Sequence, residues 1–180
     1  SKNQKKLSAN FSMKKENLKF NFKIFFKTKF YNQLYDVEDK KIDGEYVGSH
    51  YFRSFPILGI DFETPFKIKK NYMNLIYTPK LSFVASPGLS NTNKISNEDS
   101  SINSYTIENN SNLNRYVGTD KLDNSKRINL ELNIKNKIID GSLWQSYEFT
   151  NNSNFHYQQG NETYLSDLLG KIDFKKESQS

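Results

Sequence analysis

Residues 18–30, LKFNFKIFFKTKF, alternate between apolar and polar side chains along almost their whole length. The even positions share the apolar side, apart from one threonine: Leu18, Phe20, Phe22, Ile24, Phe26, Thr28 and Phe30. The odd positions are Lys or Asn, with Phe25 as the exception. Because successive side chains of a strand point to opposite faces, this period predicts a β-strand with one apolar and one cationic face. Its length suits the about 9–11 residues of a tilted membrane-spanning strand better than the ~5–6 residues usual in soluble proteins.

The alternation recurs along the rest of the chain. Five further segments show this alternation and are predicted to be strands. In order of decreasing regularity they are 58–68, 128–135, 73–85, 142–150 and 164–175. Residues 45–55 lead into the strand at 58–68, and Pro56 between them predicts a bend or bulge because proline cannot donate to a sheet ladder.

The predicted connections differ in length. Residues 69–71 and 139–141 are tight turns. Residues 33–44 form an intermediate polar loop. The two long polar loops are 86–126 and 151–162. Tight turns at one end and long loops at the other are typical of up-and-down barrels in an outer membrane. The predicted fold class is all-β, with antiparallel up-and-down strands forming a segment of a large transmembrane β-barrel.

A soluble antiparallel sandwich is the alternative fold. Its strands also alternate, because one face of each sheet packs on a core. The length of the strand at 18–30 argues against it. So does a polar loop of about forty residues, which is uncommon in a compact soluble domain.

The composition limits the kinds of molecule that the chain is expected to bind. The net charge of +6 is compatible with nucleic acid, but the basic residues are spread along the chain and Lys far outnumbers Arg. Phosphate-reading surfaces concentrate charge and favour Arg, so we expect no nucleic-acid partner. The chain has no cysteine and therefore no disulfide or thiol chemistry of its own.

No catalytic constellation is present, and we expect neither an enzyme nor a bound metal or cofactor. His50 and His156 stand alone, and Glu98 and Asp99 lack the spacing of a calcium loop. The clearest charged feature is a stripe of four lysines: Lys19, Lys23, Lys27 and Lys29. The stripe is either a solvated strand face or a barrel wall that faces the lumen and meets anionic saccharide or phosphate groups.

Three stretches in succession, YTPKLSFVASP, ISNEDS and NLNRYVGTDKLDNSKRINLEL, resemble the central barrel region of LptD, the lipopolysaccharide-assembly protein family. QSYEF and SDLLGKIDF continue the resemblance, which is strongest over 45–175. The loop residues and strand proline that carry it are Pro79, Asn97, Glu98, Asp99, Ser100, Asn114, Arg115, Gly118, Asp120 and Arg127. Ser96, Thr119 and Lys121 stand where the family usually has Pro, Tyr and Arg.

The resemblance implies that residues 1–180 form part of an outer-membrane barrel that assembles lipopolysaccharide in the outer leaflet. It implies four partners: lipopolysaccharide, an LptE-like lipoprotein plug, the periplasmic Lpt bridge reached through an N-terminal domain, and outer-membrane lipid. The chain is expected to be a middle segment of about six or seven strands, with the N-terminal domain and the gate strands elsewhere. Another outer-membrane barrel, such as a porin or receptor, stays the alternative.

The same resemblance predicts a role for the long loop at 87–125. We expect it to be extracellular and to fold over or into the mouth of the barrel. Its internal hydrogen bonds and ion pairs are expected to come from one set of residues: Asn97, Asp99, Asn114, Arg115 and Asp120.

Overall fold

A computed structural model describes residues 3–19, 22–42, 45–70, 73–87, 95–102, 106–150 and 164–175. Their strands, in chain order, are β1 (Asn3–Lys19), β2 (Phe22–Ile42), β3 (Glu45–Glu63), β4 (Phe66–Lys70), β5 (Met73–Ala85), β6 (Ser101–Ile102), β7 (Tyr116–Val117), β8 (Lys126–Lys135), β9 (Ile139–Glu148) and β10 (Leu169–Phe174). One short helix, α1 (Ile107–Asn110), lies between β6 and β7. No helix in these residues is long and apolar enough to cross a membrane.

The strands form one antiparallel sheet in the order β1-β2-β3-β5-β8-β9-β10, with β4 continuing β3 along β5. Strands that are neighbours in the sheet are neighbours in the chain, except that the β6–β7 ribbon interrupts the connection between β5 and β8. The sheet is open, as a segment of a larger barrel must be. The prediction of an all-β, antiparallel, up-and-down fold is confirmed.

The sheet has one apolar and one polar face, and their exposure is the reverse of that in a soluble protein. The apolar face, which carries Phe26, Leu58 and Leu130, is exposed, with Leu130 58 % accessible. The polar face carries buried Gln33 and Asn129. A soluble sandwich buries its apolar face, whereas a membrane barrel turns it to lipid. The distribution therefore favours the barrel segment over the sandwich.

The apolar face has the height of a membrane. On β2 its exposed side chains run from Phe22 to Leu34, which is ~40 Å at ~3.3 Å per residue. A strand tilted by about 45° crosses ~28 Å over that length, close to the apolar band of about 25 Å in outer-membrane barrels. Beyond Leu34 this face becomes polar at Asp36, opposite His50. Strands β1, β2 and β3 therefore continue past the apolar band at the end that holds the β2–β3 turn.

The prediction of a loop at 33–44 is wrong, because β2 continues to Ile42 and pairs with β3 along that length. Gln33, Tyr35 and Val37 are buried on the polar face, while Leu34 and Glu38 are exposed. The strand reads as a loop in sequence because both of its faces carry polar residues where it leaves the apolar band.

The prediction of a single strand over 18–30 is also wrong, because β1 ends at Lys19 and β2 begins at Phe22. Because of the turn between them, the apolar face carries the odd-numbered residues of β1 but the even-numbered residues of β2. Leu18 pairs with Lys23 and so belongs to the polar face rather than to the face of Phe22. The strand β1 itself was not predicted, since its residues alternate weakly.

Proline has a different effect at each of its positions in the sheet. Pro56 lies inside the continuous strand β3, opposite Phe30, so the predicted bend there is wrong. Strand β3 pairs with β5 only from Leu58 onward, so Pro56 interrupts no ladder on that side. The break comes at Thr64 and Pro65, opposite Pro79 of β5, where the Thr64 N–H donates to the Pro79 carbonyl at 3.3 Å. Two prolines that cannot donate leave this ladder weak.

The remaining boundary errors are small. The β8–β9 turn lies at 136–138 instead of 139–141, because Asn136 Oδ1 accepts from the backbone N–H groups of Ile138 and Ile139. The strand predicted at 164–175 begins only at Leu169. The predicted loop at 151–162 and residues 88–94 and 103–105 of the long loop lie outside the described residues.

The exposure of the apolar face can be tested with Leu130→Arg in the complete barrel. A charge on the lipid-facing side should lower the free energy of unfolding, by up to about 2–4 kcal/mol. Asn133→Arg is the matched control, because it places the same charge on the polar face of the same strand, beside Glu131. Urea-dependent unfolding from lipid bilayers measures both variants, and equal losses would contradict the assignment of faces.

Candidate functional site

The connection between β5 and β8 packs on the polar face of the sheet, and we call its described residues 95–102 and 106–125 the lumen loop. Its apolar anchor is Leu113, which lies directly over Gly59. A Cβ built on Gly59 would come within 2.5 Å of Leu113 Cδ2, so any larger residue at 59 would push the Leu113 side chain aside. Leu113 and Leu122 close a buried cluster with four residues of the wall: Tyr31, Phe55, Ile57 and Val84.

Two aspartates hold the lumen loop's own backbone together. Asp99 Oδ1 accepts from the N–H groups of Thr119 and Asp120 at 3.0 and 2.7 Å. In return, Asp120 Oδ2 accepts from the N–H groups of Glu98 and Asp99 at 2.9 and 3.0 Å. Each carboxylate thus accepts from backbone donors of the segment that carries the other, and we call this pair the aspartate clamp.

The residues around the aspartate clamp complete the turn. Asn97 Oδ1 accepts from the Ser100 N–H at 3.0 Å, which forms an Asx-type turn. Ser100 Oγ donates to Asp99 Oδ1 at 2.8 Å and accepts from the Lys121 N–H at 2.9 Å. Gly118 has φ of 83°, and a Cβ there would lie 2.1 Å from the Asp99 carbonyl oxygen. Glycine is required at 118 for both reasons.

The aspartate clamp is bound to the wall by β1, β2 and β3. Lys6 Nζ donates to Asp99 Oδ2 at 2.6 Å and to Asp120 Oδ1 at 2.7 Å. Arg53 donates to the carbonyl oxygens of Thr119 and Asp120 at 2.7 and 2.9 Å, and the Tyr35 hydroxyl donates to Asp120 Oδ1 at 3.0 Å. Two carboxylates therefore face two cations, so the contact is close to neutral.

The electrostatics of Asp99 follow from this geometry. Partial burial alone would raise the pKa of Asp99, but the hydrogen bonds from Lys6, from the Asp120 backbone and from Ser100 outweigh it. They hold the pKa of this carboxyl well below its usual range. Asp99 therefore remains ionised, and bound to Lys6, throughout the neutral range of pH.

A second network ties the lumen loop to β8 and β9. Arg115 donates to Asp123 through Nε and Nη2, at 2.5 and 3.0 Å, and to Glu148 Oε2 at 3.0 Å. Arg127 Nη1 reaches Asp123 Oδ2 at 3.2 Å. Asp123, Arg127 and Glu148 have fully buried side chains. Although burial lowers the pKa of Arg115, the charges of Asp123 and Glu148 raise it above its ordinary value. Two arginines and two carboxylates make this buried arginine network neutral as well.

The structure brings together most of the residues that carry the family resemblance. Asn97, Asp99, Ser100, Gly118 and Asp120 meet at the aspartate clamp. Arg115 and Arg127 meet in the arginine network, beside Asn114, whose Oδ1 accepts from the Asp123 N–H at 3.0 Å. Glu98 contributes only its backbone N–H.

Pro79 lies apart from the lumen loop, inside β5. Of the lysine stripe, Lys23 and Lys27 are paired with Glu63 and Asp61 on the polar face. Lys29 lies on the same face, opposite Ser12. Lys19 is the register partner of Phe22, and its side chain lies outside the described residues.

Several residues of the site were not predicted from the sequence. The wall contributes Lys6, Gln33, Tyr35 and Arg53, and the arginine network includes Glu148. Gln33 and Glu148 are fully buried polar side chains, which in a strand signal a face turned toward other polar groups. The sequence offers no such signal for Lys6, because the residues of β1 alternate too weakly to predict a strand.

Ser96 shows how this chain departs from the family pattern. Its N–H donates to Gln4 Oε1 at 2.8 Å and its carbonyl accepts from Gln4 Nε2 at 3.1 Å. The proline usual at this position could not make the first bond. The departure therefore adds a contact between the lumen loop and β1.

Gly118→Ala tests the aspartate clamp. A side chain in the left-handed region costs roughly 1–2 kcal/mol, and the methyl group would also push away the Asp99 carbonyl. We expect the lumen loop to be cleaved faster by a protease added to the folded complete protein. Gly48→Ala is the control, because its Cβ would meet only the Val37 carbonyl oxygen at an ordinary 3.4 Å. Equal cleavage of both variants would show that the conformation at Gly118 does not hold the loop.

The comparisons with known proteins agree with this architecture. A search of curated proteins finds no match to the chain. The family model described as LptD, LPS transport system D, matches residues 4–179, which covers every strand except the first residue of β1. The family recognised from the loop residues is thereby confirmed, and the chain belongs to the LptD family of outer-membrane lipopolysaccharide transport proteins.

Proposed function

We propose that the chain is part of the barrel wall of a translocon that assembles lipopolysaccharide in the outer leaflet, and that its lumen loop closes the barrel mouth. The observation that supports the second half is the position of the loop. It packs on the polar face of the sheet and is held there by the aspartate clamp and the arginine network, while the other face is left free for lipid.

The polar face has the character of an aqueous lumen. Lys23 is paired with Glu63 at 3.6 Å and Lys80 with Glu131 at 3.1 Å, so charges of both signs lie side by side on the wall. Such a surface favours the passage of a hydrated saccharide and disfavours lipid. The apolar face in turn suits the hydrocarbon of the outer membrane.

The attachment points place the lumen loop at one end of the lumen. Lys6, Tyr35 and Arg53 lie on the part of β1–β3 around and beyond the end of the apolar band at Leu34. Because long loops of outer-membrane barrels lie outside the cell, this end is the extracellular mouth. A loop held there would exclude large solutes.

The remaining partners follow from the family. We propose an LptE-like lipoprotein as the plug of the lumen and the periplasmic Lpt bridge as the source of lipopolysaccharide. In this proposal the protein resides in the bacterial outer membrane and acts without covalent chemistry. A porin or receptor would share a charged lumen and a plugging loop, but the family match favours the translocon.

Loss of both networks should open the mouth of the barrel. The test is a double variant of the complete protein, Asp99→Asn with Arg115→Gln. The first change leaves Lys6 with one carboxylate. The second leaves the buried carboxylates of Asp123 and Glu148 with one arginine, Arg127. Breaking a buried pair of this kind costs about 3–5 kcal/mol. We expect several-fold greater uptake of a large antibiotic by cells that carry this variant.

Glu98→Gln is the matched control, because it removes a charge from the same loop at a side chain that is exposed. Heat-modifiable migration on gels verifies that each variant is assembled. Unchanged antibiotic uptake in a normally assembled double variant would overturn the closing role.

The translocon role itself is tested by depletion. Cells that lose their own LptD and express the complete protein should keep lipopolysaccharide on their surface, as measured by labelling of intact cells. Loss of surface lipopolysaccharide despite assembled protein would exclude this role.

A further inference from the structure

A cavity of about 450 Å³ lies between the lumen loop and the wall strands β1 and β2. The wall contributes Asn10, Ser12 and Lys29, and the loop contributes Asn112 and Tyr116. The volume falls within the ~300–1,000 Å³ typical of small-molecule sites. Among the described residues that line it, none is acidic.

The polar groups of this cavity differ from those of the surrounding wall. Lys23 and Lys27, on the same strand and face as Lys29, each have a carboxylate partner. Within the ranges the structure describes, Lys29 forms no ion pair. In the same ranges, the side chains of Asn10, Ser12 and Asn112 and the hydroxyl of Tyr116 lack a hydrogen-bond partner. The cavity thus holds one unneutralised cation among several free donors and acceptors.

This set of groups points to a class of ligand. A lysine ammonium binds phosphate oxygens through charge-assisted hydrogen bonds. Amides and hydroxyls donate and accept, which suits the hydroxyl groups of a sugar. A bare phosphate would use only the cation and fill a small part of the volume.

The Tyr116 hydroxyl is a stable donor in this setting. Burial, together with the charge of Asp123, raises the pKa of Tyr116 to about 12. It therefore keeps its proton throughout the neutral range of pH.

We infer that the cavity is a binding site for a phosphorylated sugar, with Lys29 on the phosphate and Asn10, Ser12, Asn112 and Tyr116 around the sugar. The inference rests on the proposed function only for the source of the ligand, since a translocon carries saccharide through this lumen. Because the lining comes from both the wall and the lumen loop, a bound ligand bridges the two and holds the loop against the wall.

Saturation-transfer NMR on the purified complete protein tests the site with three probes: glucose 6-phosphate, glucose and inorganic phosphate. We expect glucose 6-phosphate to bind more tightly than either of the others. Lys29→Gln should weaken its binding about tenfold, the loss expected for one charge-assisted contact. Hydrogen exchange in residues 112–119 should slow when glucose 6-phosphate is added.

Lys14→Gln is the matched control. Lys14 lies on the same face, opposite Lys27, and its ammonium sits 4.3 Å from the ring centroid of Phe25, outside the cavity lining. Its loss should leave binding unchanged. Asn112→Ala tests the loop side of the cavity with an exposed residue, and should weaken sugar phosphate binding without weakening that of inorganic phosphate.

Two results would overturn the site: equal binding of inorganic phosphate and glucose 6-phosphate, or the same loss in Lys14→Gln as in Lys29→Gln. The proposed function fails separately. If the protein does not keep lipopolysaccharide on the surface but binds glucose 6-phosphate through Lys29, the site stands without the translocon role. If it keeps lipopolysaccharide on the surface and Lys29→Gln binds normally, only the site is lost.

Discussion

The position of the lumen loop depends most on the hydrogen bonds that Lys6 donates. One ammonium group reaches Asp99, Thr119 and Asp120, which are the residues that also bind each other's backbones. The loop is therefore assembled and attached to the wall through the same two carboxylates. Since Lys6 belongs to β1 and Arg53 to β3, this attachment also connects the first three strands across the lumen side.

The arginine network attaches the lumen loop to the other side of the sheet. Arg115 of the loop lies between Asp123 and Glu148, so the loop spans from β1–β3 to β8–β9. In both networks the charges sum to zero, which is what permits their burial, because an unpaired charge in such a place would cost several kcal/mol. Between them, Leu113 over Gly59 supplies the apolar contact. The loop therefore braces the sheet, in addition to the closing role that we propose for it.

The sequence predicted elements well wherever one face met lipid. The strand at 73–85 and the alternation at 128–135 match β5 and β8, because lipid demands an apolar residue at every second position. It failed at 3–17 and 33–44, where the strands leave the apolar band and no longer need such a pattern. It also failed at the β1–β2 turn, because a tight turn between two alternating strands reads as one continuous strand.

By itself, the sequence determined the fold class through its period-2 alternation. It also indicated the family, and the residues that meet at the aspartate clamp, through the resemblance of its loop motifs to that family. Both kinds of signal are local patterns. Only the tertiary structure decided what the clamp is attached to. Lys6 and Asp99 are 93 positions apart in the chain, and Arg115 and Glu148 are 33 apart. A neutral buried charge network depends on which strands the sheet places beside the loop, and no local pattern encodes that placement.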